Sequence, residues 1–265
     1  MAAEKPYVVV PYKDSIFGPD GKFTKLIGDQ TVADQIGREI DYLQKLTMAV
    51  SGLASLYRPA PQGCISTVLY PGIIPEDPLS DAIDLVYELE SPHFLVAGHH
   101  LAYSGSDGGY KGRTRAYYSV DKIGNAIAAA DLSGATQFFT QVHARHTGEQ
   151  AKWVTDMVVE HNIEAIALMA APGHLFPRAF CTQLKAFIKR GVKIPIIPVP
   201  HAISPFKELM MISCQDSSKD CLISQVDFHT SEFAKVLAYT DDVASLEEVR
   251  DYCLWLAEHE FFINN

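Results

Sequence analysis

The stretch Gln137–Arg178, QFFTQVHARHTGEQAKWVTDMVVEHNIEAIALMAAPGHLFPR, restricts the fold more than any other part of the chain. An apolar run, Gln137–Val142, ends in a polar turn carrying His143, Arg145 and His146. A helix pattern follows over Gly148–Val159, then a second apolar run, Ala165–Met169. Another polar turn, with His174 and Arg178, leads into a helix pattern from Pro177 to Lys189. Short, continuous apolar runs bounded by turn residues are what strands covered on both faces require. Strand, helix and strand in this succession make a βαβ unit with parallel strands and a right-handed crossover.

The flanking sequence extends the pattern. Tyr7–Val10, Ile65–Leu69, Phe94–Ala97 and Ile194–Val199 read as further strands, and Leu79–Leu89 as a helix with Ala82, Ile83, Val86 and Leu89 on one face. Thr31–Leu56 and Ser119–Leu132 have helical spacing. After His201 the pattern weakens: Glu208–Ser213 and Leu222–Phe228 read as strands at a sheet edge, and Thr230–Leu237 as helical. Ser245-Leu-Glu-Glu248 is a capping box that opens a terminal helix. The expected fold is α/β: a Rossmann-like three-layer sandwich with a mainly parallel sheet over residues 1–205. A small C-terminal extension, residues 206–265, packs on it.

Composition excludes some functions. The 265 residues are 48% hydrophobic, enough for a large core, and carry a formal net charge of −10. An acidic chain is a poor partner for nucleic acid or an anionic membrane surface. The five cysteines, Cys64, Cys181, Cys214, Cys221 and Cys253, are widely spaced without a CxxC pair, as in reduced, cytosolic proteins. Cys181, inside a helix pattern, reads as core. No signal-peptide pattern and no membrane-length apolar run occur, so the expectation is a cytoplasmic chain that acts on a small molecule. Self-association is left open.

In such folds ligands bind outside the carboxyl ends of the strands. Six of the ten histidines fall there: His99, His100, His143, His146, His174 and His201. Two chemistries fit them. His143-x-x-His146, the His99-His100 pair and Asp77 or Glu76 offer ligands for a Zn²⁺ or Fe²⁺ ion, but the helical HExxH pattern is absent. Alternatively, Thr147-Gly148-Glu149-Gln150 begins a helix directly after a strand. Its N–H groups would favour a carboxylate or phosphate, with Arg145 and Arg178 as bidentate clamps. For a single helix start, a capping box is the simpler reading of Thr147–Gln150. The glycine-rich stretch Ser104–Arg113 is a lid or a surface loop.

Three segments resemble motifs of the YdcF/SanA/ElyC family of bacterial domains. Phe94–His99 (FLVAGH) sits where that family has a strand ending in Ser-Gly-Gly. Thr147-Gly-Glu-Gln-Ala151 resembles its Glu-Asn-Ala helix start, with Gln150 in place of Asn. Pro172-Gly-His-Leu-Phe-Pro-Arg-Ala179 resembles its His-Met-x-Arg-Ala turn, one residue longer. The resemblance covers roughly Leu79 to Pro200. It implies a Rossmann-like fold, S-adenosylmethionine as the bound ligand, and Gly98, Thr147, Glu149, Gln150, His174 and Arg178 as pocket residues.

Together these readings predict an enzyme, of S-adenosylmethionine-dependent transferase or lyase type, that binds an anionic or adenosyl ligand. Its acid–base residues are His143, His146, Glu149 and His174. Its ligand-binding residues are Gly98, His99, His100, Arg145, Thr147, Gln150, Arg178 and His201. The alternatives are a metal-dependent hydrolase or oxygenase and a non-catalytic ligand-binding protein.

Overall fold

The computed structural model describes residues 8–9, 63–70, 79–98, 136–141, 143–144, 146–170, 174–200, 209–213, 220–224 and 241–259. The expected helices over Thr31–Leu56, Ser119–Leu132 and Thr230–Leu237 lie outside these residues, as does the Ser104–Arg113 loop.

Five parallel strands form the main sheet: β2 (Ser66–Leu69), β3 (His93–Ala97), β4 (Gln137–Gln141), β5 (Ile166–Ala170) and β6 (Ile196–Pro200). Their order is β4-β3-β2-β5-β6, and every neighbouring pair is parallel. The chain winds outward from β2 to β4, then crosses back to β5 beside β2. The order therefore reverses between β2 and β5. Pro198 and Pro200, which cannot donate to a ladder, sit in β6, the last strand on one side.

Helix α1 (Leu79–Leu89) joins β2 to β3; α2 (Thr147–Glu160) joins β4 to β5; α3 (Phe180–Arg190) joins β5 to β6. Right-handed crossovers that run in opposite directions along a sheet place their helices on opposite faces. The core follows that rule. Leu69, Phe94, Val96 and Met169 pack with Leu79, Ala82, Ile83 and Val86 of α1 on one face. Val68, Leu95, Ile166 and Leu168 pack with Val154, Val158, Leu184 and Phe187 of α2 and α3 on the other. The alternation along each strand is the two-residue period of a pleated sheet, here apolar on both faces. The result is the α/β sandwich expected from the strand–helix alternation.

Helix α4 (Leu246–Glu258) opens with the expected capping box: Ser245 Oγ accepts from the Glu248 N–H at 3.2 Å, and the Glu248 carboxylate accepts from the Ser245 N–H at 2.7 Å. It joins the α2–α3 face of the core through Val249, Tyr252 and Leu256. The Tyr252 hydroxyl binds the entrance of β6, accepting from the Ile196 N–H at 2.6 Å and donating to Ile194 O at 2.9 Å.

The remaining strands differ from the sequence expectation. β1 (Val8–Val9), β7 (Leu209–Ser213) and β8 (Asp220–Ser224) form a separate three-stranded sheet, β1-β8-β7, rather than edges of the parallel sheet. β7 and β8 are antiparallel, and β1 joins β8 in parallel. No helix among the described residues is long and apolar enough to cross a membrane.

Candidate functional site

Because the five strands are parallel, their carboxyl ends share one edge of the sheet, and helices that follow a strand begin there. This edge carries Gly98 after β3, His143 and His146 after β4, the first turn of α2, and the turn after β5.

The α2 start departs from a simple cap. The N-cap is His146, in extended conformation (φ −154°, ψ 168°), and its side chain does not cap the helix. Thr147 already lies within the helix and is buried, so the capping box read from Thr147–Gln150 does not form. The His146 ring instead folds over Gly148. A Cβ at Gly148 would stand 3.1 Å from His146 Nδ1, 3.2 Å from its Cε1 and 3.6 Å from Asp242 Cγ. Gly148 is thus a close-approach glycine: a side chain there would push the His146 ring aside. His146 Nε2 lies 3.7 Å from Glu149 Oε1, too far for a hydrogen bond but close enough for an ion pair when the imidazole is protonated. Asp242 also accepts from Lys189 Nζ at 3.3 Å.

Gln150 faces inward and is buried. Its amide nitrogen donates to the main-chain carbonyl of Ala97 and, at 3.0 Å, to that of Gly98. The first turn of α2 is thereby fastened to the exit of β3. The Gly98 N–H turns back to Val96 O at 3.0 Å.

After β5 the expected helix from Pro177 begins earlier and wider. Leu175–Ala179 is a π-helical turn that runs without interruption into α3, and the Phe180 N–H reaches back to Leu175 O. Pro177 has no N–H to give an α-helical ladder, which favours the wider winding; single π turns recur at functional sites. His174, buried, and Arg178, half-buried, stand on this turn, which packs against β5, β6 and α2.

At the order reversal, the residue after β2 is Tyr70. Its N–H donates to Met169 O at 2.8 Å, and its buried hydroxyl donates to Gln183 Oε1 of α3 at 2.6 Å. Gln183 in turn donates to Thr155 Oγ1 of α2 at 3.1 Å. Burial pushes the Tyr70 phenol well above its ordinary value, so it stays neutral. This chain of buried polar groups ties the end of β2 to both helices of one face. Nothing in the local sequence around Tyr70 announces its partner in α3.

The structure therefore brings Gly98 and Gln150 into direct contact, gathers His146, Thr147 and Glu149 on one helical turn, and sets the His174–Arg178 turn against the same helix. His143 is exposed, and its N–H donates to Gln141 Oε1 at 2.8 Å. His99, His100, Arg145, His201, Glu76 and Asp77 lie outside the described residues. Among the described residues, no group of three or more His, Cys, Asp or Glu side chains is arranged to hold a metal. Cys181 is buried in the core, and burial, then the neighbouring Cys253, push its thiol up to about 12. The sequence does not single out Asp242, because it approaches α2 from a distant part of the chain, and it shows Gly148 only as part of the helix start.

The chain matches no protein-family model, and no curated protein or solved structure is significantly similar to it.

Proposed function

We propose that this protein is an α/β enzyme that binds a small molecule bearing an amino-acid group, with S-adenosylmethionine as the ligand to test, at the carboxyl edge of its parallel sheet. The observation that carries the reading is the first turn of α2: a half-exposed histidine ring over Gly148, flanked by the carboxylates of Glu149 and Asp242, on a helix start without a side-chain cap. A ligand carboxylate suits the N–H groups and dipole of that turn. A phosphate would bring up to two uncompensated negative charges toward those carboxylates, whereas the ammonium or sulfonium of a zwitterionic ligand offsets its single one. The ligand class comes from the motif resemblance, whose first two segments are the ones that Gln150 joins.

In this reading His146 moves the proton, beside the Glu149 carboxylate. Gln150 and Gly98 shape the wall, and Arg178 and His174 complete it from the π turn. Calorimetric titration with S-adenosylmethionine tests the assignment. Saturable heat that disappears in Glu149→Gln supports it. No heat and no thermal shift at about millimolar ligand, a weak-binding limit of roughly 4 kcal/mol, would sink the ligand assignment.

A further inference from the structure

The same two elements that meet at the proposed site, β3 and α2, are joined again at their opposite ends. His93 opens β3, and His161 caps the carboxyl end of α2. The His161 ring lies 4.5 Å from that of Phe139 in β4 and 5.5 Å from that of His93; His93 and Phe139 are 6.3 Å apart. Three rings from three elements thus form one half-buried stack. The end of α2 is held in place beneath it: Asn162 takes a left-handed conformation (φ 51°), and the Ile163 N–H returns to Val158 O at 3.0 Å.

The surroundings of His93 contain little to stabilise a positive charge. β2 contributes the Ser66 hydroxyl, 3.0 Å from Nδ1; β4 contributes Phe139 and, in register, the neutral Gln137; α2 contributes His161. Among the described residues, neither ring forms an ion pair with a carboxylate, those of Glu160 and Glu164 included. The Phe139 face favours one nearby cation, but two imidazolium rings in this stack repel each other.

We propose that the His93–Phe139–His161 stack is a pH-sensitive clasp, closed when both rings are neutral and opened by their protonation, and that it regulates the site at the far ends of β3 and α2. The regulatory half rests on the site proposed above. Burial, and then the neighbouring His161, hold the His93 imidazole below its ordinary value of 6.5. The folded chain therefore takes up this proton less readily than the unfolded chain. The clasp's contribution is complete above the ordinary histidine value and is lost as the pH falls through the lower, folded one.

The test is hydrogen exchange on the full chain at about pH 7.5 and about pH 5.5, on either side of the ordinary histidine range, compared as protection factors with His161→Phe. The variant keeps a ring in the stack but can hold only one charge there, so the repulsion cannot arise. On acidification, the His161 and Ile163 amides of the native chain are expected to lose roughly fivefold more protection than those of the variant. The Gly98 and Gln150 amides should follow. Equal losses in both proteins would overturn the clasp. A response at His161 with none at Gly98 and Gln150 would overturn the regulation. Should His161→Phe not fold, His93→Phe supports the same comparison. No ligand enters this measurement, so a null titration with S-adenosylmethionine would remove the proposed ligand and leave the clasp standing.

Discussion

The side-chain amide of Gln150 donates to the Gly98 carbonyl at 3.0 Å and also to that of Ala97, so one buried side chain holds the start of α2 against the exit of β3. A leucine at this position keeps the bulk and loses both donors. Unpaired buried polar groups cost about 1–3 kcal/mol, so Gln150→Leu should lower the unfolding free energy by that much, read as a lower urea midpoint with an unchanged slope. Gln150→Glu turns an acceptor toward two carbonyls and is expected to cost more. A stability equal to the native chain's in both variants would show that the bond holds nothing together.

Gly148→Ala separates stability from site geometry. Alanine is favoured over glycine within a helix by about 1 kcal/mol, and Gly148 has no positive φ that would oppose it. The new methyl must displace the His146 ring, whose atoms stand 3.1 and 3.2 Å away. The ring is half-exposed and free to give way. The melting temperature should hold or rise, while the His146 ring resonances shift and titrated ligand binds more weakly.

Tyr70→Phe leaves Gln183 Oε1 without the phenol that donates to it at 2.6 Å. The expected loss is about 1–3 kcal/mol, measured by chemical denaturation near neutral pH. Burial raises the Tyr70 value above its ordinary 10.0, so the unfolded chain ionises first. Stability from this group is complete below that value and falls as the pH rises past it. Alkaline destabilisation should therefore be smaller in Tyr70→Phe.

At the start of α4, Ser245→Ala removes the cap to Glu248 and should cost about 1 kcal/mol. Burial alone would raise the Glu248 carboxyl, but its hydrogen bonds from Lys185 and the Ser245 N–H outweigh that and hold it below its ordinary 4.5. Its contribution is present above that value and disappears as the pH falls through the lower, folded one. Glu248→Gln should flatten the acid side of the stability profile.

The sequence by itself determined the layers of this protein and most of their parts. Phe94–Ala97 and Ala165–Met169 read as doubly covered strands because they are apolar without interruption, and both lie within the parallel sheet. Leu79–Leu89 and the Ser245 capping box were legible because helical period and cap chemistry are complete within a few neighbouring residues. That His146, Thr147, Glu149, Gln150, His174 and Arg178 stand at one sheet edge also follows from that order, since parallel strands end together.

Only the tertiary structure decided how those residues are used. Gln150 turned inward to β3, His146 replaced Thr147 at the helix boundary, and Pro177 entered a π turn. Asp242 came beside Gly148, Val8–Val9 paired with β8, and His93 met His161 across the far end of the sheet. The contacts of Gln150, Asp242, Val8–Val9 and His93 join segments remote in the chain, whose approach is set by packing between elements. Local periodicity carries no record of it.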